Sequence, residues 1–421
     1  MYIIESILNR YYRTQMQKAI AFDHTGWIDV PVRAAQDPDD YLLYIHVPFC
    51  ETLCPYCSFH RYEYRRDVAD RYFDALQKEL KMYRSHGYDF KGMYIGGGTP
   101  TLPLDRLIET IETAKALFSI REISVETNPN HLVTEKMKRL SRAGVHRLSV
   151  GVQSFDDNIL KHIGRYDKYG SGKTIRARIE NARGWFDTLN VDLIFNIPLQ
   201  TDALLTKDLD MIDELLPEQV TWYPLMAAAS VEKALKKSVG RVDYRKEKRF
   251  YFTILDRMRE KYTGSTAWCF SRKKSMIDEY IIAYDRYAGI GSGAFGYFND
   301  CIYSNSFSID DYVARITQGR FPVAGMKHFS QQERIHYYFL MKLFGLEMDK
   351  RAFEKRFGQS LDKAVPGLKL LLKLSASVRE TEKTLSLTAK GRYYWIMAMR
   401  EFFIATDNLR DHCRSLVKPP S

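Results

Sequence analysis

Short apolar segments and amphipathic segments alternate along the chain from residue 41 to about residue 225. The apolar segments predict strands, at 41–47, 92–95, 121–126, 146–151, 190–195 and 219–223. The amphipathic segments between them predict helices, at 67–84, 103–118, 134–143, 171–186 and 201–215. Such repeats predict an α/β fold with parallel strands and helices outside them. The active site of such a fold lies at the carboxyl ends of the strands.

The two ends of the chain predict further elements. Residues 2–21 have a helical pattern, and a connection containing Pro and Asp follows them. Residues 325–404 are mostly helical in pattern, with a short pair of strands around 385–387 that resembles a winged-helix appendage. We therefore predict three parts, which are an N-terminal extension, a region of β/α repeats and a helical domain that covers the substrate: 1–40, 41–300 and 301–421.

The charge balance limits the choice of partners. Lys and Arg number 63 against 52 Asp and Glu, which gives a net charge of +11. This balance favours an anionic partner, either a carboxylated substrate, a phospholipid surface or nucleic acid. No basic recognition helix stands out, so we expect no nucleic-acid partner. Residues 230–265 are rich in Lys and Arg; a solvated helix face is the simplest interpretation, and binding of an anionic substrate or a peripheral membrane contact stays open.

The distribution of apolar residues and cysteines predicts a cytoplasmic protein. No apolar run approaches the roughly 18 residues that span a bilayer. The six cysteines and the absence of a signal peptide argue against a disulfide framework. Three of the six are scattered singly and are expected to be packed thiols: Cys269, Cys301 and Cys413.

The other three cysteines, Cys50, Cys54 and Cys57, lie close together directly after the first predicted strand. Their CxxxCxxC spacing places three thiolates on one short loop, where they can bind three corners of a cubane. A [4Fe–4S] cluster ordinarily has four Cys ligands. Three ligands leave one iron open, which indicates chemistry at the metal. A structural zinc site completed by His46 and His60 is the alternative, although zinc sites favour paired CxxC motifs.

Polar and glycine residues follow the later strands. The loop Tyr94 to Thr101 reads YIGGGTPT, and its glycines allow a ligand to approach the backbone closely. No Lys follows in P-loop spacing, so phosphate binding is a poor explanation. Glu126 and Gln153 end the third and fourth strands, and Asp192 lies in the fifth. Together they are expected to converge on one opening at the carboxyl ends of the strands and to bind a ribose, an amine or a carboxylate.

These motifs are similar to those of the radical S-adenosylmethionine (SAM) superfamily. CxxxCxxC, GGGTPT and GVQSF follow the first, second and fourth strands, and they resemble the branch around oxygen-independent coproporphyrinogen III oxidase. The resemblance implies a partial (β/α)6 barrel with a [4Fe–4S] cluster whose open iron chelates SAM. It also implies reductive cleavage of SAM to a 5′-deoxyadenosyl radical, with an electron from a low-potential donor such as flavodoxin or ferredoxin.

The resemblance assigns roles to individual residues. The cluster ligands would be Cys50, Cys54 and Cys57. The residues that would contact the first SAM are Tyr44, Tyr56, Gly97, Gly98, Thr99, Glu126, Gln153, Arg165 and Asp192, with Arg165 a candidate for its carboxylate. Some family members bind a second SAM, and residues 289–296, GIGSGAFG, resemble the segment that lines that second site. Ile290 and Leu225 would touch it.

Two departures from the family pattern narrow the reaction. The porphyrinogen oxidases have a further Cys two residues after the third ligand, where this chain has Phe59. The haem chaperones have a His-Asn pair upstream of the second glycine-rich segment, where this chain reads IDEYII over 277–282. These departures favour C-methylation of an sp² carbon in a planar aromatic or quinone acceptor with a second SAM. The alternatives are porphyrinogen decarboxylation, radical methylation that opens haem, and haem trafficking.

Overall fold

The computed structural model contains seventeen helices and a short 3-10 turn within the residues that it describes, which are 2–22, 24–25, 41–238, 240–273, 277, 280–298 and 300–416. The helices are α1 (Tyr2–Ile20), α2 (Arg66–Ser85), α3 (Leu104–Leu117), α4 (Thr134–Arg142), α5 (Asp157–His162), α6 (Tyr166–Tyr169), α7 (Gly172–Asn181), α8 (Asp202–Leu215), α9 (Ala229–Ser238), α10 (Tyr244–Met258), α11 (Tyr280–Ala283), α12 (Ile309–Thr317), α13 (Gln331–Phe344), α14 (Lys350–Phe357), α15 (Leu361–Ala364), α16 (Pro366–Leu374) and α17 (Ala389–Leu416).

The strands form one large mixed sheet and two small ones. They are β1 (His24–Thr25), β2 (Tyr41–Val47), β3 (Phe49–Cys50), β4 (Tyr62–Glu63), β5 (Phe90–Gly97), β6 (Glu122–Thr127), β7 (Arg147–Gln153), β8 (Thr188–Phe195), β9 (Gln219–Pro224), β10 (Thr263–Gly264), β11 (Cys269–Ser271), β12 (Arg286–Ile290), β13 (Phe295–Phe298), β14 (Cys301–Asn305), β15 (Val323–His328), β16 (Glu347–Asp349), β17 (Val378–Glu380) and β18 (Thr384–Leu387).

The six predicted strands form the centre of the large sheet. Strands β2, β5, β6, β7, β8 and β9 lie side by side in chain order, and each pairs with the next in parallel. Each of the five connections between them contains a predicted helix, with α8 in the last. Buried residues run almost continuously along these strands and include the fully buried Leu43, Ile95 and Val150, which pack under the helices. The predicted α/β architecture is therefore confirmed.

The connection between β7 and β8 is more complex than predicted. It contains α5 and α6 before α7. The Asp156 carboxylate caps α5 by accepting hydrogen bonds from the amides of Asn158 (3.0 Å) and Ile159 (3.1 Å). The helix predicted to reach residue 186 ends at Asn181. Gly184 follows with a φ of +78°, a left-handed conformation that does not continue a helix.

The large sheet extends beyond the six predicted strands on both sides. Strand β12 pairs in parallel with β2, and β13, β14 and β15 continue from it in antiparallel order. On the other side, β11 and β10 add to β9 in antiparallel order. The predicted domain boundary at residue 300 therefore falls inside the sheet, between β13 and β14.

The C-terminal part is mostly helical, as predicted. A three-stranded antiparallel sheet with the order β16-β18-β17 lies among α13 to α16, so the predicted strand pair has a third member. Helix α1 packs along α17, and Arg13 binds the buried carboxylate of Glu401 at 2.8 Å. The predicted connection after α1 falls mainly in residues 26–40, outside the described part of the chain.

Part of the basic segment at 230–265 supports the fold. The ammonium group of Lys246 on α10 donates to the carbonyls of Ile197 (3.0 Å), Pro198 (2.9 Å) and Gln200 (2.9 Å). Arg249 on the same helix pairs with an acid of α8 at 2.7 Å. These cations therefore tie α10 to the loop before α8, and membrane contact by this segment stays a prediction. In the described residues, no helix is both long and apolar enough to cross a bilayer.

Candidate active site

The three clustered cysteines lie on a loop at the carboxyl end of β2. The carbonyl of Cys50 accepts a hydrogen bond from the Tyr64 amide at 2.8 Å, which joins the start of the loop to its exit. Arg61 donates to the carbonyls of Cys54 (2.7 Å) and Cys57 (2.5 Å). The Arg61 guanidinium therefore joins two turns of the loop. The three thiols of this loop lie at one end of a cavity.

The surroundings of the thiols combine burial with positive charge. Burial raises the pKa of Cys50 to about 11, against the lowering effect of the Thr99 hydroxyl, which lies 3.8 Å from the sulfur. Burial also raises the pKa of Cys57, and the charge of Arg61 opposes that rise. The Lys168 ammonium lies 3.3 Å from the sulfur of Cys54. These cations stabilise thiolates, the form in which cysteine binds iron.

The structure does not build the alternative zinc site. Among the described residues, no group of three His, Cys, Asp or Glu side chains is placed to hold a single metal ion. His46 Nε2 instead bonds the His60 carbonyl at 2.9 Å, and His60 Nε2 bonds the Ser292 hydroxyl at 3.1 Å. Burial lowers the pKa of His46 to about 4 and that of His60 well below the ordinary value. In a [4Fe–4S] cubane each thiolate binds a separate iron atom, whereas the ligands of a zinc ion all bind one metal. The three thiols of this loop fit the cubane.

The glycine-rich loop packs directly against the cysteine loop. The amide of Gly98 donates to the Val47 carbonyl at 2.8 Å, and that of Thr99 donates to the Phe49 carbonyl at 2.7 Å. A Cβ atom at Gly98 would lie 2.6 Å from the same Phe49 carbonyl oxygen. Gly97 has a φ of +117°. Glycine is therefore needed here for close backbone approach. A bound amine would have to donate to carbonyl oxygens, because an amide N–H cannot accept a hydrogen bond.

Glu126 stands at the end of β6, beside the glycine-rich loop. Its two carboxylate oxygens accept from the Tyr94 hydroxyl (2.8 Å) and the Gly97 amide (3.0 Å). The next strands contribute Gln153, which has a φ of +76°, and Asp192. A left-handed non-glycine residue costs of order 1–3 kcal/mol and is concentrated at functional sites. These side chains line one cavity, so the structure brings the predicted strand-end residues together.

Arg165, directly before α6, lines the same cavity. Its guanidinium donates to Tyr56 Oη and to Asn128 Oδ1, both at 3.1 Å, and also to the carbonyl of Gly151. Its Cζ lies 4.3 Å from the centre of the Tyr169 ring. The Nε of Arg165 is buried and has no hydrogen-bond partner among the described residues. A bound carboxylate would satisfy that donor, which fits the predicted role of Arg165.

The cavity has a volume of about 370 Å³. It is lined by the three cysteines and by most of the predicted ligand residues, which are Tyr44, Tyr56, Gly97, Gly98, Thr99, Glu126, Gln153, Arg165, Asp192 and Leu225. Ile290 does not line it, because Ile290 is fully buried in β12 and pairs with Ile45 of β2. Gly293 and Phe295, from the same glycine-rich segment, do line the cavity. Contact of Ile290 with a second SAM stays a prediction.

The structure adds a wall that the sequence reasoning missed. Helix α17 contributes apolar and charged side chains to the cavity, namely Phe402, Phe403, Thr406, Asp407 and Arg410. Arg410 donates to the Ser58 carbonyl at 3.2 Å and pairs with Asp407, which ties the C-terminal helix to the cysteine loop. Burial raises the pKa of Asp407 to about 6, against the effect of Arg410. The sequence predicted a helical pattern in this part of the chain but gave no sign that the helix reaches the cavity.

A second missed feature is an aromatic stack over the first strands. The ring of Tyr280 stacks on Tyr44, with centroids 5.5 Å apart, and lies 5.2 Å from the ring of Tyr94. Tyr280 belongs to the segment 277–282, one of the two departures from the family pattern noted in the sequence. Residues 278–279 of that segment lie outside the described part of the chain. The stacked rings form an apolar surface beside the Glu126 carboxylate.

Comparison with known proteins identifies the relatives of this chain. The family model described as the radical SAM superfamily matches residues 44–212. The heme chaperone HemW of Bacillus subtilis is 30% identical over 366 residues, which cover 83% of this chain and 95% of that protein. The oxygen-independent coproporphyrinogen III oxidase of Cereibacter sphaeroides is 26% identical over 390 residues, which cover 86% of this chain and 85% of that protein.

A solved structure also has the same fold. The coproporphyrinogen III oxidase of Escherichia coli, described as a radical SAM enzyme, superposes with a TM-score of 0.73 at 23% sequence identity. The match covers 87% of this chain and 91% of that one. At this identity the likeness supports the fold, including the mixed α/β region and the helical C-terminal part.

Proposed function

This chain belongs to the radical SAM superfamily, in the branch of the HemW chaperones and the oxygen-independent coproporphyrinogen III oxidases, and from that premise we propose that it cleaves SAM reductively to act on a tetrapyrrole. Its cofactors are a [4Fe–4S] cluster and SAM. When bound, these groups supply one-electron cleavage of the sulfonium and abstraction of a hydrogen atom. The observation that carries the proposal is a single cavity that joins the three thiols to an aromatic and basic wall.

The residues of the chain fit the two cofactors. Cys50, Cys54 and Cys57 would hold the cluster, because they are the only cysteines on one loop and face the cavity. The unpartnered Nε of Arg165 would bind a carboxylate. The Glu126 carboxylate, held by two donors, would bind a cationic or hydroxyl group of SAM. Both side chains orient the ligand and replace its hydration with fixed hydrogen bonds.

The wall of α17 supports a planar and acidic substrate. Phe402, Phe403 and Phe59 offer apolar surface to the cavity, and Phe59 is 49% exposed. The guanidinium of Arg410 lies 5.9 Å from the centres of the Phe59 and Phe295 rings. A flat ring with carboxylate groups would match apolar walls next to a cation. Two relatives, one a heme chaperone and the other an oxygen-independent coproporphyrinogen III oxidase, are both named for tetrapyrroles.

Methyl transfer to a planar aromatic or quinone acceptor is the second candidate. Leu225 and Gly293 line the same cavity as the first-SAM residues, and this proximity favours a second SAM beside the first. The names of the relatives do not support a methyltransferase. Haem carriage without turnover is the third candidate, since the relative from Bacillus subtilis is a chaperone. A low-potential electron donor, such as flavodoxin or ferredoxin, belongs to the first two proposals.

Anaerobic turnover distinguishes these functions. The protein is reconstituted with iron and sulfide, reduced, and incubated with SAM and one of three compounds: haem, coproporphyrinogen III or menaquinone. Mass spectrometry then measures 5′-deoxyadenosine, S-adenosylhomocysteine and modified substrate. The proposal expects 5′-deoxyadenosine together with a modified tetrapyrrole, and Cys54→Ala serves as the inactive control. Formation of S-adenosylhomocysteine with methylated product supports methyl transfer, and haem binding without any SAM cleavage supports carriage and overturns the proposal.

A further inference from the structure

Lys168 brings a positive charge to the cysteine loop from a part of the chain that is 114 positions away. Its ammonium nitrogen lies 3.3 Å from the sulfur of Cys54, and it also donates to the carbonyl of Thr52 at 3.2 Å. Of the contacts to the three thiols described above, this one alone joins a sulfur to a full positive charge. Cys50 instead faces the neutral hydroxyl of Thr99, at 3.8 Å.

The backbone at Lys168 is held in place from two elements. Its carbonyl accepts a hydrogen bond of 2.6 Å from the side-chain amide of Asn130. Arg178 on α7 donates to Asn130 Oδ1 at 2.6 Å and to the carbonyl of the next residue, Tyr169, at 2.8 Å. The long side chain of Lys168 therefore extends from a fixed point, which lowers the entropic cost of keeping its ammonium group against the loop.

Lys168 approaches the cysteine loop from outside the cavity. Arg165 and Lys168 belong to one short segment, with Arg165 directly before α6 and Lys168 within it. Arg165 lines the cavity, whereas Lys168 does not. The two cations therefore have separate roles. Arg165 faces the space that we assign to SAM, and Lys168 faces a ligand of the cluster from the protein side.

The charge of Lys168 is not cancelled by an acid. Among the described residues, no carboxylate forms an ion pair with its ammonium group, which contacts the Thr52 carbonyl and the Cys54 sulfur instead. The side chain is half-buried, so solvent ions screen only part of its charge. The reduction potential of an iron–sulfur cluster depends on hydrogen bonds to its sulfurs, on the net charge and on solvent exposure. Lys168 affects each of these quantities at Cys54.

We propose that Lys168 raises the reduction potential of the cluster by donating a hydrogen bond from its ammonium group to the thiolate of Cys54. The inference rests on the proposed function, since it concerns the cluster of the same site. Reduction adds one negative charge beside a fixed positive charge, so the cation stabilises the reduced state more than the oxidised state. It follows that a donor of less negative potential can reduce the cluster.

The step that Lys168 favours is the transfer of one electron. The electron passes from the low-potential donor, of the flavodoxin or ferredoxin class, to the cluster, so the donor is oxidised and the cluster is reduced by one electron each. No bond in the protein forms or breaks, and Lys168 keeps its proton throughout. Its contribution is electrostatic, which separates it from a residue that merely holds the loop together.

The test is a redox titration of the full-length protein reconstituted with its cluster, without SAM. Electron paramagnetic resonance measures the reduced cluster at a series of set potentials, and iron and acid-labile sulfide are measured on the same samples. Lys168→Gln removes the charge but keeps an N–H donor, and Lys168→Arg keeps the charge. Lys161→Gln makes the same charge change on α5, where the Lys161 ammonium lies 4.7 Å from the centre of the Tyr166 ring.

We expect the reduction equilibrium of Lys168→Gln to shift at least tenfold toward the oxidised cluster, which corresponds to a midpoint potential about 59 mV more negative. Lys168→Arg should stay nearer to wild type than Lys168→Gln, and Lys161→Gln should stay within twofold of wild type in the same equilibrium. All three variants should hold as much iron and sulfide as wild type.

Three results would overturn the inference. The first is a wild-type potential in Lys168→Gln, and the second is an equal fall of the potential in Lys168→Arg or Lys161→Gln. The third is loss of iron and sulfide in Lys168→Gln, because Lys168 would then act as a clamp of the loop. Formation of 5′-deoxyadenosine by wild type together with any of these results would leave the proposed function standing, whereas a wild-type protein without a cluster signal would overturn both.

Discussion

Arg165 Nη1 donates a hydrogen bond of 3.1 Å to the hydroxyl of Tyr56, although 109 positions separate the two residues in the chain. Tyr56 lies between the second and third cysteines, whereas Arg165 directly precedes α6 in the connection between β7 and β8. The contact therefore closes the ring of residues around the cavity. It couples the position of the cysteine loop to the residue that we assign to the carboxylate of SAM.

We expect Arg165→Lys to weaken SAM binding by about ten- to one-hundred-fold. A hydrogen bond to a charged group contributes roughly 1.5–3 kcal/mol, and lysine cannot bond several acceptors in one plane as a guanidinium does. Equilibrium dialysis of SAM with the anaerobic protein measures the change. Arg176→Lys is the matched control, because Arg176 pairs on the surface with Glu180 and Glu214. Equal SAM affinity in both variants would remove Arg165 from the site.

Cys54→Ala is expected to lose the cluster. The remaining two thiolates of the loop cannot hold three corners of a cubane, so iron, acid-labile sulfide and visible absorbance should fall together to a small fraction of the wild-type content. Cys413→Ala is the control, since Cys413 lies on α17 and does not line the cavity. A full cluster in Cys54→Ala, measured by iron and sulfide analysis, would show that the ligand assignment is wrong.

We predict that Glu126→Gln keeps the cluster and weakens SAM binding by about tenfold. The substitution removes one negative charge while the side chain keeps its shape, and a charge-assisted hydrogen bond is roughly twice as strong as a neutral one. Iron content and SAM affinity are measured on the same sample. Glu122→Gln, at the exposed start of the same strand, should match wild type in both measurements. Loss of iron in Glu126→Gln would indicate a structural role in place of ligand binding.

Arg410→Gln should weaken binding of the tetrapyrrole while SAM cleavage without substrate continues. Arg410 lies on the cavity wall that we assign to the substrate, and its loss removes the cation nearest to the Phe59 ring. Substrate KM should rise about tenfold or more, and the fraction of 5′-deoxyadenosine that is not coupled to product should increase. Arg414→Gln, about one turn further along α17, is the control because Arg414 does not line the cavity. An unchanged KM in Arg410→Gln would contradict the assignment.

Protonation of Asp208 should add to the stability of the fold as the pH falls from 7 to 5. Burial raises the pKa of Asp208 to about 7, although the Phe155 amide (2.7 Å) and the Ser154 hydroxyl (2.9 Å) both donate to it. An acid whose folded pKa exceeds its unfolded value takes up a proton preferentially in the folded state, so acidification stabilises the fold. This group alone contributes about 2 kcal/mol between pH 7 and pH 5.

Asp208→Asn tests this pH dependence. The variant has no titrating group at this position, so its free energy of unfolding should rise about 2 kcal/mol less than that of wild type over the same pH range. Denaturant titration at the two pH values measures both slopes. The exposed Asp210→Asn, on the same helix, should leave the pH dependence as in wild type. Identical slopes for wild type and Asp208→Asn would refute the raised pKa.

Local patterns determined the central strands and the cysteine loop. The run 41–47 is continuously apolar because β2 has neighbours on both sides and helices over it, and the structure places the strand at Tyr41–Val47. The CxxxCxxC spacing, the glycine-rich loop and the strand-end residues Glu126 and Gln153 follow from positions along the chain. Because carboxyl ends of parallel strands share one edge, linear order was enough to predict that these side chains meet.

Packing between distant segments decided the parts of the site that the sequence did not predict. The amides of the glycine-rich loop donate to the segment just before Cys50, β12 adds to β2, and α17 places Arg410 against Ser58. Each of these contacts joins residues that are far apart in sequence, and hydrophobic periodicity reports only which face of an element is buried. It does not report which element covers that face. The residues at the strand ends were therefore predictable from the sequence, whereas the cavity wall contributed by α17 depends on how the C-terminal helices dock.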